Sequence, residues 1–133
     1  MSAERALIAA IRAAAMAHAD VQVLIGARFY DDPPSDVIFP YVTLGRAESR
    51  SADASAVEAV EHAVTLHVWS RHGGRAEALD VIASLRAALH NAPLSVAGRR
   101  LVLVLVQFTD VFRSGDGRTT HGVVRLRAVT EPE

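Results

Sequence analysis

The sequence of 133 residues contains no cysteine and no lysine, because all 14 of its basic residues are arginine. The lack of cysteine excludes disulfides, thiol nucleophiles and thiolate metal sites. The lack of lysine excludes Schiff-base chemistry and a lysine that contacts a bound phosphate. Several large classes of enzyme are therefore excluded before any motif is considered.

The chain also has little net charge, few aromatic residues (5%) and no long apolar run. Fifteen acidic residues balance the arginines and leave a formal charge of −1. A near-neutral chain has no overall field that attracts it to nucleic acid or to a membrane, and its apolar runs are too short for a signal peptide or a membrane span. We expect no membrane association and no sequence-specific DNA binding. Length and composition predict a single domain over residues 1–133.

Apolar residues at helical spacing predict two main helices. The first begins after Ser2, which belongs to a residue type favoured at the N-cap, and extends to about residue 18. Asp20 can cap one further short turn that ends at Gly26. The second helix extends from about residue 75 to residue 90, and its predicted buried stripe consists of Ala78, Leu79, Ile82, Leu85 and Leu89.

The rest of the chain predicts strands joined by turns. Extended segments occupy residues 28–30, 39–45, 57–70, 101–112 and 120–130. Residues 101–112 are apolar almost throughout, which is typical of a central strand covered on both faces. Residues 47–56 are small and polar, and they predict a projecting, mobile hairpin loop. This order of elements predicts an α+β fold, a mostly antiparallel sheet of four to five strands with two helices packed on one face.

Six histidines raise the question of a metal site, but their spacing argues against one. His62 and His67 lie five residues apart on a predicted strand, so they point to opposite faces and cannot bind one ion. No His-Glu-x-x-His motif or paired carboxylate completes a site near His72. No nucleophile elbow is present either. We therefore expect no cofactor, no metal and no catalytic residue.

Alternation places Arg125 and Arg127 on one face of the last strand. Neighbouring cations on a strand are unfavourable without acids opposite, and no acid of the same subunit is obviously placed for them. The two arginines are either solvent-facing charges that discourage pairing at a sheet edge or partners of acids in a neighbouring copy of the chain, which offers Glu58, Glu61 or the Asp31-Asp32 turn. In the second case the candidate subunit-interface residues are Arg125, Arg127, Asp31, Asp32 and Glu61.

Five strings resemble one protein family in order and spacing, namely residues 28–34, 39–45, 66–78, 89–94 and 116–131. The family is the tail-completion, or tail-terminator, proteins of long-tailed phages, especially those encoded in alphaproteobacterial gene transfer agents. The resemblance covers nearly the whole chain. It implies an α+β subunit of a hexameric ring at the head-proximal end of the tail.

The resemblance also implies the partners and the location. Such a ring ends polymerisation of the major tail protein and docks to the head-tail connector, while DNA only passes through its channel. The subunit is expected in the host cytoplasm during assembly and afterwards in the particle. Two alternatives stay open, namely a non-enzymatic α+β adaptor that forms a dimer or small oligomer outside a virion, and a small hydrolase that uses His67 or His121.

Overall fold

The computed structural model describes residues 1–53 and 58–133. Three helices and five strands follow one another along the chain. They are α1 (Ala3–Ala17), α2 (Ala19–Ile25), β1 (Phe29–Tyr30), β2 (Tyr41–Ser51), β3 (Val60–Ser70), α3 (Ala76–Leu89), β4 (Arg99–Arg113) and β5 (Thr120–Pro132). The predicted α+β class is therefore confirmed.

The start of α1 and the end of α2 lie at residues that the sequence predicted, Ser2 and Gly26. The Ser2 hydroxyl accepts a hydrogen bond from the Arg5 amide at 3.0 Å and caps α1. His18 adopts an extended conformation, which separates α1 from α2 and gives three helices where two were predicted. Asp20 lies in the first turn of α2 without capping it, and α2 ends at Gly26, whose φ of 57° suits glycine.

Neither of the two N-terminal helices is a membrane span on its own. Within the residues described, no single helix is both long and apolar enough to cross a membrane, and α1 and α2 pass that test only as a pair bent by 85°. Both helices bury apolar side chains in the core, among them Leu7 and Ile11 of α1 and Ile25 of α2.

The five strands form one sheet in the order β1-β2-β3-β5-β4. β1 is parallel to β2, and the other neighbouring pairs are antiparallel, as predicted for most of the sheet. The prediction that residues 101–112 form a central strand is wrong, because β4 lies at an edge. Val104 and Val106 are buried, whereas Phe108 and Phe112 are exposed. The apolar run thus reflects an edge strand whose outer side also carries apolar residues.

The predicted loop over residues 47–56 is also partly wrong. β2 continues to Ser51, and residues 47–51 pair with residues 60–64 of β3 after an irregularity between Leu44 and Ala47. Small polar residues pair here because backbone hydrogen bonds do not depend on side-chain type. Residues 54–57 of the predicted loop lie outside the described residues.

The core lies between the helices and one face of the sheet. Alternation along β3 places His62, Val64, Leu66 and Val68 in this core. On α3 the predicted stripe is correct except at Leu79, whose surface is 50% exposed, whereas Val81 is fully buried. The helices thus cover one face of the sheet and leave the other face open.

Candidate functional site

The open face of the sheet carries a row of packed aromatic side chains. Trp69 of β3 lies between Tyr41 of β2 and His121 of β5, since these three residues occupy one register row. The Trp69 and His121 rings are stacked with centroids 4.1 Å apart, and the Trp69 indole donates a hydrogen bond to the Thr43 hydroxyl at 2.9 Å. Phe112 of β4 extends the row, with its ring centroid 4.8 Å from that of His121. The row therefore crosses four strands.

Two histidines of this face form a direct pair. Nδ1 of His67 and Nε2 of His121 are 2.7 Å apart, so one ring donates and the other accepts. Burial lowers the pKa of both histidines, and the neighbouring His67 lowers the pKa of His121 further. His67 lies against Gly45, where a Cβ would come within contact distance of its ring. The pair is therefore a neutral, packed hydrogen bond near pH 7.

The opposed faces of His62 and His67 agree with the sequence prediction. His62 is buried on the helix side, where its Nε2 lies 2.9 Å from the Thr130 hydroxyl oxygen, and burial lowers its pKa. Within residues 1–53 and 58–133, no three His, Asp or Glu side chains are grouped closely enough to hold a metal ion. His67 and His121 interact with each other and with aromatic rings, which accounts for their positions by packing.

The tip of the β4–β5 hairpin is fixed by Asp116 and by Arg71. The Asp116 carboxylate accepts hydrogen bonds from the Arg118 and Thr119 amides at 2.9 and 2.8 Å, and these bonds lower its pKa to about 2. The Arg71 guanidinium lies 3.8 Å from Asp116 and 4.4 Å from the centre of the Phe39 ring. One end of the open face is therefore held by charge and by cation–π contact.

The structure corrects the premise that no acid of the same subunit faces the arginines of β5. Arg127 donates to the Glu61 carboxylate at 3.2 Å, across the β3–β5 pair. Alternation places Glu61 on the same face of β3 as His67, but the register between β3 and β5 was needed to bring it to Arg127. Arg127 and Glu61 are thus brought together inside one subunit.

Arg125 has a different environment. Its guanidinium lies 4.7 Å from the centre of the Phe108 ring on β4, and within the described part of the chain it makes no ion pair. It borders a concavity of about 630 Å³ on the open face, which Arg46, Glu48 and His67 also line. The concavity can therefore accept a further charged group.

Asp31 and Asp32 are separated from Arg125 by strands β2 and β3. They follow β1, which is the edge strand beside β2, and both are exposed. The structure does not bring them to the arginines of the same subunit. The two acids and Arg125 therefore lie towards opposite edges of the sheet.

Known proteins share both the sequence and this architecture. The family model of the tail completion protein gp17 matches residues 9–131. The tail completion protein gp17 of Bacillus phage SPP1 is 30% identical over 99 residues, which cover 73% of this chain and 72% of that protein. The chain belongs to the gp17 tail completion family. It is thus a structural tail protein rather than an enzyme.

Solved structures agree with this membership. A chain from the virion of a native gene transfer agent particle superposes with a TM-score of 0.90 and 25% identity, and the match covers 98% of each chain. The structure of the SPP1 gp17 protein superposes with a TM-score of 0.66 and 26% identity, over 95% of this chain and 89% of that one. The tail completion protein therefore has the fold of a component of phage and gene-transfer-agent particles, in which it associates with other particle proteins.

Proposed function

We propose that this tail completion protein is a tail terminator. It forms a homo-oligomeric ring of six subunits that ends polymerisation of the major tail protein and joins the tail to the head-tail connector. The observation that carries the proposal is the end-to-end superposition on a chain from a gene transfer agent virion. The superposition covers 98% of each chain, so the likeness is not limited to one substructure.

The distribution of charged groups supports a ring. A ring needs a heterologous interface, in which one side of a subunit meets the opposite side of the next. Arg125 lies over Phe108 of the edge strand β4, and Asp31 and Asp32 follow the edge strand β1 at the other end of the sheet. The cation of one subunit and the acids of its neighbour are thus placed on complementary sides.

Arg127 and Glu61 have a second role in this proposal. Both side chains are about a third exposed, so their ion pair is accessible from the open face. Because Arg127 and Glu61 neutralise each other within one subunit, they can donate and accept hydrogen bonds at an interface without burying an unpaired charge. It sets the register of the contact rather than its bulk affinity.

The near-neutral charge of the subunit suits a ring through which DNA passes. Phosphate contacts from a strongly basic lining would hold the DNA, and this chain carries a formal charge of −1. In this proposal the protein is in the host cytoplasm during assembly and afterwards at the head-proximal end of the tail. Its contacts there are other copies of itself, the major tail protein and the connector.

A charge exchange tests the interface, and labelling tests the position. We expect Arg125→Asp to prevent a ring of constant mass in native mass spectrometry, and Asp31→Arg with Asp32→Arg in the same chain to restore it. Arg118→Asp on the hairpin tip is the matched control and should assemble normally.

The position in the particle is tested separately by labelling. Gold directed to a tag on the chain should mark the head-proximal end of particles. Gold label at the distal tail tip would contradict the proposed position, and normal rings from Arg125→Asp would contradict the proposed interface.

A further inference from the structure

The sheet has an unpaired backbone segment at each of its two sides. β1 pairs only with Val42 and Thr43, so among the described residues the side of β2 away from β3 has no neighbouring strand over residues 46–51. On β4 the carbonyl of Val104 accepts from the Asn91 amide at 2.9 Å, and the amide of Val106 donates to His90 Nδ1 at 3.0 Å. Residues 107–113 have no such cover in the described chain. Such exposed segments are ready to pair with another strand.

We propose that residues 107–113 of β4 pair with residues 46–51 of β2 in the next copy of this chain. The sheet then continues from one subunit to the next around the particle axis. This inference rests on the proposed ring and names the strand segments that close it. It does not rest on a direct contact of Arg125 with Asp31 and Asp32, because the joint places Arg125 level with residues 48–52 of the neighbouring β2, whereas the two acids follow the pairing of Tyr30 with Thr43. Both segments belong to the same chain, so one kind of contact serves every subunit.

The strand directions agree with this joint. β2, β3, β5 and β4 alternate in direction, because each neighbouring pair is antiparallel. β4 therefore runs opposite to β2 within one subunit. When the next copy is rotated about a ring axis, its β2 keeps the direction of the first β2 and meets β4 as an antiparallel neighbour. The joint thus repeats the hydrogen-bond pattern of the rest of the sheet.

The offset between the two free segments also fits a closed structure. Glu48 is level with Leu105 of β4, through Ala63 and Arg127. Asp110 is level with Val123, four residues from Arg127 on β5, because β4 has a bulge between Val106 and Phe108. This offset is about 14 Å, against a width of about 19 Å for four strands. The strands of the closed sheet would tilt by about 35°, at the lower end of the usual 35–45° of barrels. Closure of a sheet requires such a stagger.

Side chains on the two segments are complementary on the open face. The β4 segment presents Phe108, Asp110 and Phe112, and the β2 segment presents Arg46, Glu48 and Arg50. Antiparallel pairing brings the guanidinium groups over the two rings and diagonally beside the Asp110 carboxylate. In this register Glu48 lies opposite Asp110, which is an unfavourable pairing of like charges. Arg46, which lies 3.6 Å from Glu48, and Arg50 flank this pair and offset the repulsion.

Cysteine cross-linking tests the joint without interference, since the natural chain has no cysteine. Thr109→Cys is combined in turn with Ala47→Cys, Ser49→Cys or Ser51→Cys, which covers shifts of two residues in register. These positions face the helix side, away from the charged groups. Opposite residues of antiparallel strands lie at a Cα distance that a disulfide can span. Purified particles that contain each variant are oxidised and analysed on a non-reducing gel.

We expect at least one pair to give a ladder of multimers in which more than half of the chain is cross-linked. Thr109→Cys alone and the control pair of Thr109→Cys with Ser95→Cys should stay monomeric. A constant ring mass without a ladder from any pair would overturn the strand joint and leave the ring standing. A dimer from Thr109→Cys alone would also overturn it, because two β4 edges would then meet. A monomeric chain in particles would contradict both proposals.

Discussion

The hydrogen bond between His67 and His121 illustrates what a single pair of residues contributes to the open face. Each ring alone is a half-exposed histidine, and the sequence placed the two residues on different predicted strands without indicating a contact between them. The register between β3 and β5 brings them to 2.7 Å. The stack of Trp69 on His121 depends on the same register. Spacing along one strand could not have predicted either contact.

The lowered pKa values of His67 and His121 predict that acid weakens the fold. The unfolded chain binds protons on these rings below about pH 6.5, while the folded protein binds them only at a lower pH. The free energy of unfolding therefore falls as the pH falls below that value. We expect His67→Gln to reduce this dependence in urea unfolding at pH 5 to 8, relative to the unmodified protein. Equal slopes for the two proteins would contradict the account.

Gly45 gives a second prediction at the residue scale. A Cβ at this position would meet the His67 ring and lie 3.1 Å from the Thr65 carbonyl oxygen. We expect Gly45→Ala to lower the free energy of unfolding by about 1–3 kcal/mol, because the histidine must move from its packed position. Gly74→Ala is the control, since no atom lies within 4 Å of its added Cβ. Urea denaturation measures both, and similar small losses would show that His67 is free to move.

At the scale of elements, sequence patterns predicted β3 well and β4 poorly. The opposed faces of His62 and His67 follow from the alternation of a strand, and the helices cover the side that carries His62. The apolar run of β4 indicated burial on both faces, yet the strand lies at the edge, and Phe108 and Phe112 are exposed. Strand order depends on contacts between distant segments, which a local pattern does not contain. The short parallel pairing of β1 with β2 could not be predicted for the same reason.

The helix α3 offers a direct test of its buried face. Leu85 is fully buried, whereas half of the Leu79 surface is exposed, although the sequence placed both in one stripe. We expect Leu85→Ala to cost about 2–5 kcal/mol in the free energy of unfolding, because it leaves a cavity. Leu79→Ala is the same chemical change on the same helix and should cost less than about 1 kcal/mol. A larger loss at Leu79 would reverse the assignment of the face.

At the scale of the whole molecule, the subunit is asymmetric in a way that suits assembly. One face of the sheet is covered by helices, the other carries packed aromatic rings and charged groups, and the two edges differ. The sequence predicted the α+β class and the family, since both depend on patterns that extend over the whole chain. It did not predict the intramolecular pair of Arg127 and Glu61, because that contact requires strand register.

The central claim is that this chain ends tail growth and joins the tail to the head. The most direct measurement is the distribution of tail lengths, by electron microscopy, in lysates from a strain that lacks the gene and from the complemented strain. We predict tails of variable length and heads without tails when the chain is missing, and uniform tails attached to heads when it is restored. Uniform tails joined to heads in the absence of the chain would contradict the account.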